Sequence, residues 1–291
     1  MDTPSTGISR RTALRLLASG VAGSALLPHL GVAANGALAS AAVPRIGQIG
    51  LQLYTVRAAM AKDLGGTLAA IAAAGITELE FAGYYNQSAQ WWRDTMRTHG
   101  MTSPSTHIGL PKTDAEWAAH FAMSTAMGQR WVIVPSVGSE FRTPDGYKRL
   151  ADRLNSGGAL AKAAGLRMGY HNHDFEFRAL DSGTDGLSIL LTNTDPSLVD
   201  FELDLYWAVK AGQDPLALIN AHPSRFVCCH VKDAGPAPER AMMNVGSGTI
   251  NFKQILKAGR KHGLKHWFIE HDAPADPLAS IAASAAAMKK I

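Results

Sequence analysis

Residues 144–171 read PDGYKRLADRLNSGGALAKAAGLRMGYH, and this stretch decides the fold. Its first part, Pro144–Ala164, predicts a helix, and Gly165 follows where a left-handed cap is least costly. The next residues, Leu166–His171, predict a short strand. A helix that passes through one glycine directly into a strand is the repeating unit of an α/β protein.

The same unit recurs along the chain. Ala74-Gly75-Ile76 repeats the step from a helix through glycine into a strand. From residue 43 onward, short apolar runs alternate with longer helical patterns and complete eight strand-then-helix units. We therefore predict an α/β fold, a single-domain (β/α)8 TIM barrel, over residues 43–291. An open doubly wound sheet is the alternative, but no glycine-rich dinucleotide fingerprint follows the first strand.

The predicted strands and helices alternate throughout this region. The strands are Ile46–Tyr54, Thr77–Phe81, Thr102–His107, Trp131–Pro135, Leu166–His171, Leu198–Leu205, Arg225–Val231 and His266–His271. The helices are Leu64–Ala74, Ser88–His99, Asp114–Met127, Pro144–Ala164, Gly186–Asn193, Pro215–Ala221, Phe252–His262 and Pro277–Lys289.

Composition limits the class of protein. The chain has 291 residues, 46% of them hydrophobic, and a formal net charge of +4. Part of that charge comes from the first forty residues, and the remainder has no basic run or aromatic–basic interleaving, so we expect no nucleic-acid partner. The two cysteines, Cys228 and Cys229, are adjacent, and neighbours on a strand point to opposite faces, so we expect no disulfide between them.

Residues 1–39 have the layout of an export signal. Residues 9–15 carry a twin-arginine pair, Leu16–Leu30 is an apolar run of small residues, and Ala37-Leu38-Ala39 offers a cleavage site. We predict a twin-arginine signal peptide over 1–39, a periplasmic or otherwise exported protein, and the twin-arginine export machinery as a partner. An ordinary secretory signal and an uncleaved anchor are the alternatives. The run is short for a stable membrane span.

Charged and imidazole side chains collect where four successive strands end. The interiors of barrel strands are buried on both faces, whereas the loops at their C-terminal ends build active sites. The residues at these ends are His171, Asn172, His173 and Glu176 on the fifth strand, Asp200, Glu202 and Asp204 on the sixth, His230 and Lys232 on the seventh, and Glu270 and Asp272 on the eighth. Such a set suits Mn, Zn, Co or Mg, so we predict one divalent metal ion.

Each of these residues also has a structural interpretation when taken alone. His230 could be a hydrogen-bonded core histidine, and Asp204 could cap the next helix. Glu270 could pair with a lysine, and Lys232 could be solvated. The functional interpretation rests on their occurring together at corresponding ends of strands.

The chain resembles the sugar phosphate isomerase/epimerase family of xylose isomerase-like barrels. The resemblance covers nearly all of the chain after the predicted signal. It is carried by Gly50–Tyr54, Tyr170–Phe177, Phe201–Trp207, His230–Asp233, Val245–Gly248 and Ile269–Asp272. These motifs are specific for the superfamily and do not identify the substrate.

The resemblance implies a metal site on strands five to eight. Family members bind one metal through Glu, Asp, His and Glu, which carries over directly to Asp204, His230 and Glu270. His171 stands where many relatives have the first Glu. We expect Glu176 to be the fourth ligand, with His171 or His173 as the alternative.

The resemblance also implies proton-transfer chemistry on a sugar or cyclitol. We predict a metal-dependent isomerase or epimerase that removes a proton beside a carbonyl of a sugar or keto-sugar, through a metal-stabilised enediolate. Because phosphorylated sugars are mainly cytoplasmic, the predicted export favours an unphosphorylated substrate. The alternatives are a lyase or inosose-type dehydratase, suggested by the Tyr-His-Asn-His run at residues 170–173, and a non-catalytic sugar-binding barrel. The predicted catalytic residues are His173, Glu176, Lys232 and Glu270, and the predicted substrate contacts are Gln52, Glu80, His107 and His171. The oligomeric state stays open.

Overall fold

The computed structural model of the protein describes residues 47–181 and 183–291. The barrel strands within them are β1 (Gly50–Gln52), β2 (Glu78–Phe81), β3 (Thr102–His107), β4 (Trp131–Val134), β5 (Arg167–His171), β6 (Val199–Asp204), β7 (Phe226–Val231) and β8 (His266–Ile269). All pairings are parallel, and β1 pairs with both β2 and β8, so the barrel is closed. The predicted TIM barrel is confirmed. The predicted signal segment, 1–39, lies outside the described residues.

The helices of the described chain form the outer layer. They are α1 (Arg57–Lys62), α2 (Leu64–Ala73), α3 (Ala89–Thr98), α4 (Asp114–Met127), α5 (Pro144–Ala163), α6 (Gly186–Asn193), α7 (Leu205–Lys210), α8 (Pro215–Ala221), α9 (Phe252–Lys261) and α10 (Pro277–Met288). The helices α1 and α7 were not predicted. Both begin close to the point where a barrel strand ends, within stretches that the sequence assigned to a longer strand or to a loop.

The segment 144–171 shows how the sequence builds this layer. The Thr143 side chain accepts a hydrogen bond from Gly146 N and begins α5. Gly165 ends the unit with a φ of 76°, a left-handed conformation that favours glycine. Within α5, Gly157 faces the Trp117 ring so closely that a Cβ there would lie 2.8 Å from it. The helix therefore packs tightly against its neighbour, and the strand that follows is held in place.

Polar pairs fill the N-terminal end of the barrel. Trp131 Nε1 and Arg167 Nε each donate to Asp200 Oδ2 at 2.8 Å. His266 Nδ1 lies 2.9 Å from Glu78 Oε2. Because side chains alternate along a strand, Asp200 lies one layer below Glu202 and two below Asp204. This places Asp200 outside the site at the other end of the barrel.

A short hairpin stands at the C-terminal end of the barrel, where Asp233–Ala234 pairs antiparallel with Met242–Met243. The Asp233 carboxylate accepts hydrogen bonds from the backbone of Gly246, Gly248 and Ile250. The glycine-containing turn at residues 245–248 is therefore clamped to the barrel.

Two further predictions concern the described chain. Cys228 and Cys229 are both buried and free, which agrees with the expected absence of a disulfide between them. Across residues 47–181 and 183–291, no helix has the length and apolar character needed to span a bilayer.

Candidate metal centre

Four side chains from four successive strands converge at the C-terminal end of the barrel. They are His171, Asp204, His230 and Glu270. One ligand atom from each lies within 4.8 Å of the others. All four side chains are buried, with at most 6% of their surface exposed. This first group brings together three of the four predicted metal ligands, and its fourth member is His171.

Neighbouring groups determine which nitrogen of His171 faces the first group. His171 Nδ1 lies 3.0 Å from the backbone oxygen of Pro135. A carbonyl oxygen only accepts hydrogen bonds, so Nδ1 carries the proton. Nε2 then faces Asp204 Oδ2 at a distance of 3.2 Å and is available as a ligand nitrogen.

His230 is hydrogen-bonded through its other ring nitrogen, Nε2, so that Nδ1 faces the first group. Its Nε2 lies 2.7 Å from Glu80 Oε2. Its Nδ1 lies 2.7 Å from Glu270 Oε2 and 3.7 Å from Asp204 Oδ2, yet this buried nitrogen makes no hydrogen bond. A buried, unpartnered nitrogen among carboxylate oxygens fits a ligand of a divalent ion.

Asp204 combines two tasks in one carboxylate. Oδ1 accepts a hydrogen bond from Trp207 N at 2.9 Å and begins α7. The backbone nitrogen of Asp204 donates to Asn172 Oδ1 at 3.1 Å. The helix cap thereby fixes the carboxylate, and Oδ2 is turned toward the first group. The predicted cap is present, and it leaves Oδ2 in place for the predicted ligand role.

Glu176 does not join the first group, which corrects its expected place as the fourth ligand. Glu176 Oε1 accepts a hydrogen bond from Tyr170 OH at 2.7 Å, and Oε2 accepts one from His173 N at 2.8 Å. Tyr170 and His171 are neighbours on β5 and point to opposite faces of the barrel wall. Because Glu176 is hydrogen-bonded to Tyr170, its carboxylate lies on the outer side of the barrel wall. Burial there raises the pKa of Glu176 to about 7.

Lys232 lies among carboxylates at the edge of the first group. Its Nζ is 2.9 Å from Asp204 Oδ2, 2.6 Å from Glu270 Oε2 and 2.6 Å from Asp272 Oδ1. Burial alone would lower the pKa of this amine, but the three carboxylates outweigh it and raise the pKa above its usual range. Lys232 is therefore a fixed positive charge at the mouth of the barrel.

A second group lies beneath the first. It consists of Glu80, His107, Glu202 and His230. His107 Nε2 is 2.7 Å from Glu202 Oε2 and 3.1 Å from Glu80 Oε2. Burial would lower the pKa of His107, but the charges of Glu80 and Glu202 raise it to about 9. His107 is therefore protonated at neutral pH.

Two predicted substrate contacts lie in this lower layer. Gln52 Nε2 donates to Glu80 Oε2 at 2.8 Å, and neither side chain is exposed. They lie below His230 rather than at the mouth, which corrects their expected role. Glu202 was grouped with the charged residues at the strand ends but was assigned no catalytic, substrate or metal role. Its position two residues before Asp204 on the same strand face was the signal that could have identified it.

A cavity of about 420 Å³ opens above the first group. It is lined by Tyr54, Ala82, His107, Ile108, Gly109, Pro135, Ser136, His171, His173, Lys232, Glu270 and Asp272. The His173 ring stacks on Phe175, and its buried Nδ1 makes no hydrogen bond. Burial, helped by the nearby His171, lowers the pKa of His173 to about 3, so its imidazole is neutral at neutral pH. His173 therefore lines the cavity as a neutral ring whose lowered pKa makes it a weak base.

The family model of the xylose isomerase-like TIM barrel matches residues 60–291, so the chain belongs to this family. The resemblance predicted from the motifs is thereby confirmed. A solved structure of a sugar phosphate isomerase/epimerase from Parabacteroides distasonis ATCC 8503 is 27% identical, with a TM-score of 0.74 over 89% of this chain and 98% of that chain.

The chain is also similar to one curated enzyme in sequence and to one further solved structure in fold. An inosose dehydratase from Clostridium beijerinckii is 27% identical over 199 residues, which are 57% of this chain and 64% of the relative's length. The match thus spans less than two thirds of that enzyme. The IOLI protein, crystallised with a zinc atom, shares the fold at 14% identity, with a TM-score of 0.65 over 82% of this chain and 96% of that chain.

Proposed function

We propose that the protein is a metal-dependent isomerase or epimerase that moves a proton beside a carbonyl of an unphosphorylated sugar or keto-sugar. One observation carries this proposal. The first group presents two oriented histidine nitrogens and two carboxylates directly below a cavity that also contains the neutral ring of His173.

The proposed ligands are His171 Nε2, Asp204 Oδ2, His230 Nδ1 and Glu270 Oε2. With His171 in the place of a carboxylate, the set has two nitrogens and two oxygens, which favours Zn, Co or Mn over Mg. The zinc atom in the IOLI protein, which has the same fold, is compatible with this choice. When bound, the ion would supply Lewis-acid stabilisation of negative charge on a substrate oxygen.

His173 is the proposed proton acceptor. Its neutral ring lines the cavity, and its buried Nδ1 has no hydrogen-bond partner. Glu270 is the second candidate. Burial would raise the pKa of its carboxyl, but Lys232 and His230 outweigh burial and hold that pKa well below its usual range. The lowered pKa values make both groups weak bases, and His173 is preferred because it is not a proposed metal ligand. Lys232 can hold a substrate oxygen through its ammonium group.

The charges around the cavity support an unphosphorylated substrate. Its cations, Lys232 and protonated His107, are already paired with buried carboxylates. Glu270 and Asp272 add negative charge to the lining. A phosphate group would meet these carboxylates without an unpaired cation, whereas the hydroxyls of a sugar or cyclitol can donate to them.

An elimination reaction is the second candidate function. The relative from Clostridium beijerinckii is an inosose dehydratase, and residues 170–173 of this chain read Tyr-His-Asn-His, the run that suggested such an activity. Removal of the same proton followed by loss of a neighbouring hydroxyl would give a dehydratase or lyase.

Solvent exchange tests both candidates. The metal-loaded protein is incubated in D2O with a 3-keto-glucoside and, separately, with an inosose, alongside Asp204→Asn as a metal-deficient control. We expect deuterium beside the carbonyl with wild type alone. Release of water or aglycone would select elimination, and binding without exchange of either compound would contradict an enzymatic role.

We also propose that the protein is exported through the twin-arginine machinery, on the basis of Arg10 and Arg11 in the leading segment. Cell fractionation of the variant with both residues changed to Lys tests this. The variant should stay in the cytoplasm, and unchanged export would contradict the route.

A further inference from the structure

We infer that Glu80 is a positioning residue that holds His230 with Nδ1 turned to the metal centre. The inference rests on the proposed metal site, because it concerns how one of its ligands is oriented. Glu80 itself lines no part of the cavity and is fully buried below it. Its effect on chemistry would therefore pass through His230.

The contact between the two residues fixes the tautomer. Glu80 Oε2 lies 2.7 Å from His230 Nε2, at hydrogen-bonding geometry. A carboxylate oxygen only accepts, so Nε2 carries the proton and a neutral ring keeps its lone pair on Nδ1. Nδ1 is the atom that lies 2.7 Å from Glu270 Oε2 without a hydrogen bond. Such carboxylate–histidine–metal arrangements orient the ring and strengthen the ligand.

Glu80 is itself held from two other strands. Gln52 Nε2 of β1 donates to Oε2 at 2.8 Å, and Ser105 Oγ of β3 donates to Oε1 at 2.7 Å. Both oxygens are therefore fixed before any ligand arrives. The Glu80 carboxylate thus connects β1 and β3 to the histidine of β7, across the interior of the barrel.

The second group invites a different interpretation, namely a second metal site formed by Glu80, His107, Glu202 and His230. One oxygen of Glu202 is buried without a hydrogen bond, which favours that interpretation. The shared ring of His230 opposes it, because a neutral imidazole has only one unprotonated nitrogen. Two ions would need that ring to lose both protons. The hydrogen-bonding interpretation needs no such step.

The test compares Glu80→Gln with Glu78→Gln. Glu78 is two residues earlier on the same strand and is also buried in a contact with a histidine, His266, at 2.9 Å, but at the far end of the barrel. Both variants remove one buried carboxylate. Zinc affinity is measured by competition with a chelator, and melting temperature reports folding.

We expect Glu80→Gln to weaken zinc binding about 10- to 100-fold, the usual effect of losing such an outer partner. We expect Glu78→Gln to change it by less than about threefold, even at a similar loss of melting temperature. Equal zinc affinities in wild type and Glu80→Gln would overturn the inference. So would wild type binding two ions and Glu80→Gln one, because Glu80 would then be a ligand.

A second measurement keeps the inference testable if Glu80→Gln does not fold. Ser105→Ala removes only the donor to Glu80 Oε1 and should lower zinc affinity in the same direction. Nitrogen-15 spectra of the metal-free protein should show His230 protonated at Nε2. A proton on Nδ1 alone would contradict the inference. These spectra need no metal, so they test the role of Glu80 independently of the proposed function. The proposed function is tested separately by zinc binding to the wild-type protein.

Discussion

The proposed centre depends on single atoms that neighbouring groups leave free. His171 Nδ1–H donates a hydrogen bond to the Pro135 carbonyl, and His230 Nε2–H donates one to the Glu80 carboxylate. Each ring therefore keeps one nitrogen for the first group. Asp204 divides its carboxylate in the same way, with Oδ1 on the helix and Oδ2 toward the group.

Asp204→Asn should separate metal binding from folding. Asparagine is as good a helix cap as aspartate, so α7 should still begin at this residue. Loss of the charge should weaken zinc binding by at least about 100-fold, since structural and catalytic zinc sites depend on anionic or imidazole ligands. The melting temperature of the metal-free protein should change by only a few degrees. Wild-type zinc affinity in this variant would rule out Asp204 as a ligand.

Glu176→Gln should change stability without changing metal affinity. The pKa of Glu176 is raised to about 7, so the folded state binds its proton more tightly than the unfolded state does. The stability it contributes is complete below the unfolded pKa and is lost as the pH rises through about 7, a change of about 3 kcal/mol. Glutamine does not ionise, so the variant does not lose this stability as the pH rises. The variant should therefore melt higher than wild type at pH 8, and the difference should shrink at pH 5.

The exposed Glu140 offers a matched control. Glu140→Gln should melt like wild type at both pH values. A fall in zinc affinity in Glu176→Gln would restore Glu176 as a ligand and contradict its outward placement.

At the scale of elements, the sequence predicted which residues lie at the strand ends. It did not predict which side of the barrel wall the side chains in the following turns occupy. Asp204, His230 and Glu270 follow from alternation along strands whose C-terminal ends meet. Glu176 lies in a turn beyond β5, where alternation no longer applies, and its hydrogen bond to Tyr170 decides its side. Gln52 is the last residue of β1, as expected for a residue at the mouth, but its hydrogen bond to Glu80 holds its side chain in the lower layer.

The hairpin region beside the cavity should depend on one carboxylate. Asp233 accepts hydrogen bonds from the backbone of residues 246, 248 and 250, so its loss leaves three N–H groups of this turn without their acceptor. Asp233→Ala should speed hydrogen exchange across residues 244–250 and lower the stability by about 1–3 kcal/mol. Zinc affinity should stay within about threefold of wild type. Unchanged exchange in this segment would contradict the clamp.

At the scale of the whole molecule, the barrel brings residues that are distant in sequence into two layers. Glu80 and His230 are 150 positions apart and share a hydrogen bond. The eight repeated units predicted the closed barrel, because their count and order are local properties of the sequence. Contacts across the interior depend on the register and tilt of strands, which no local pattern contains. The lower layer, including Glu202, was therefore not predicted as a group.

One divalent ion held by His171, Asp204, His230 and Glu270 would be seen directly in a crystal structure of the zinc-loaded protein, with anomalous data at the zinc edge. We expect one anomalous peak, with the four ligand atoms about 2.0–2.2 Å away, and Glu176 still hydrogen-bonded to Tyr170. A peak bound by Glu176, a peak in the lower layer, or no peak at all would contradict this metal centre.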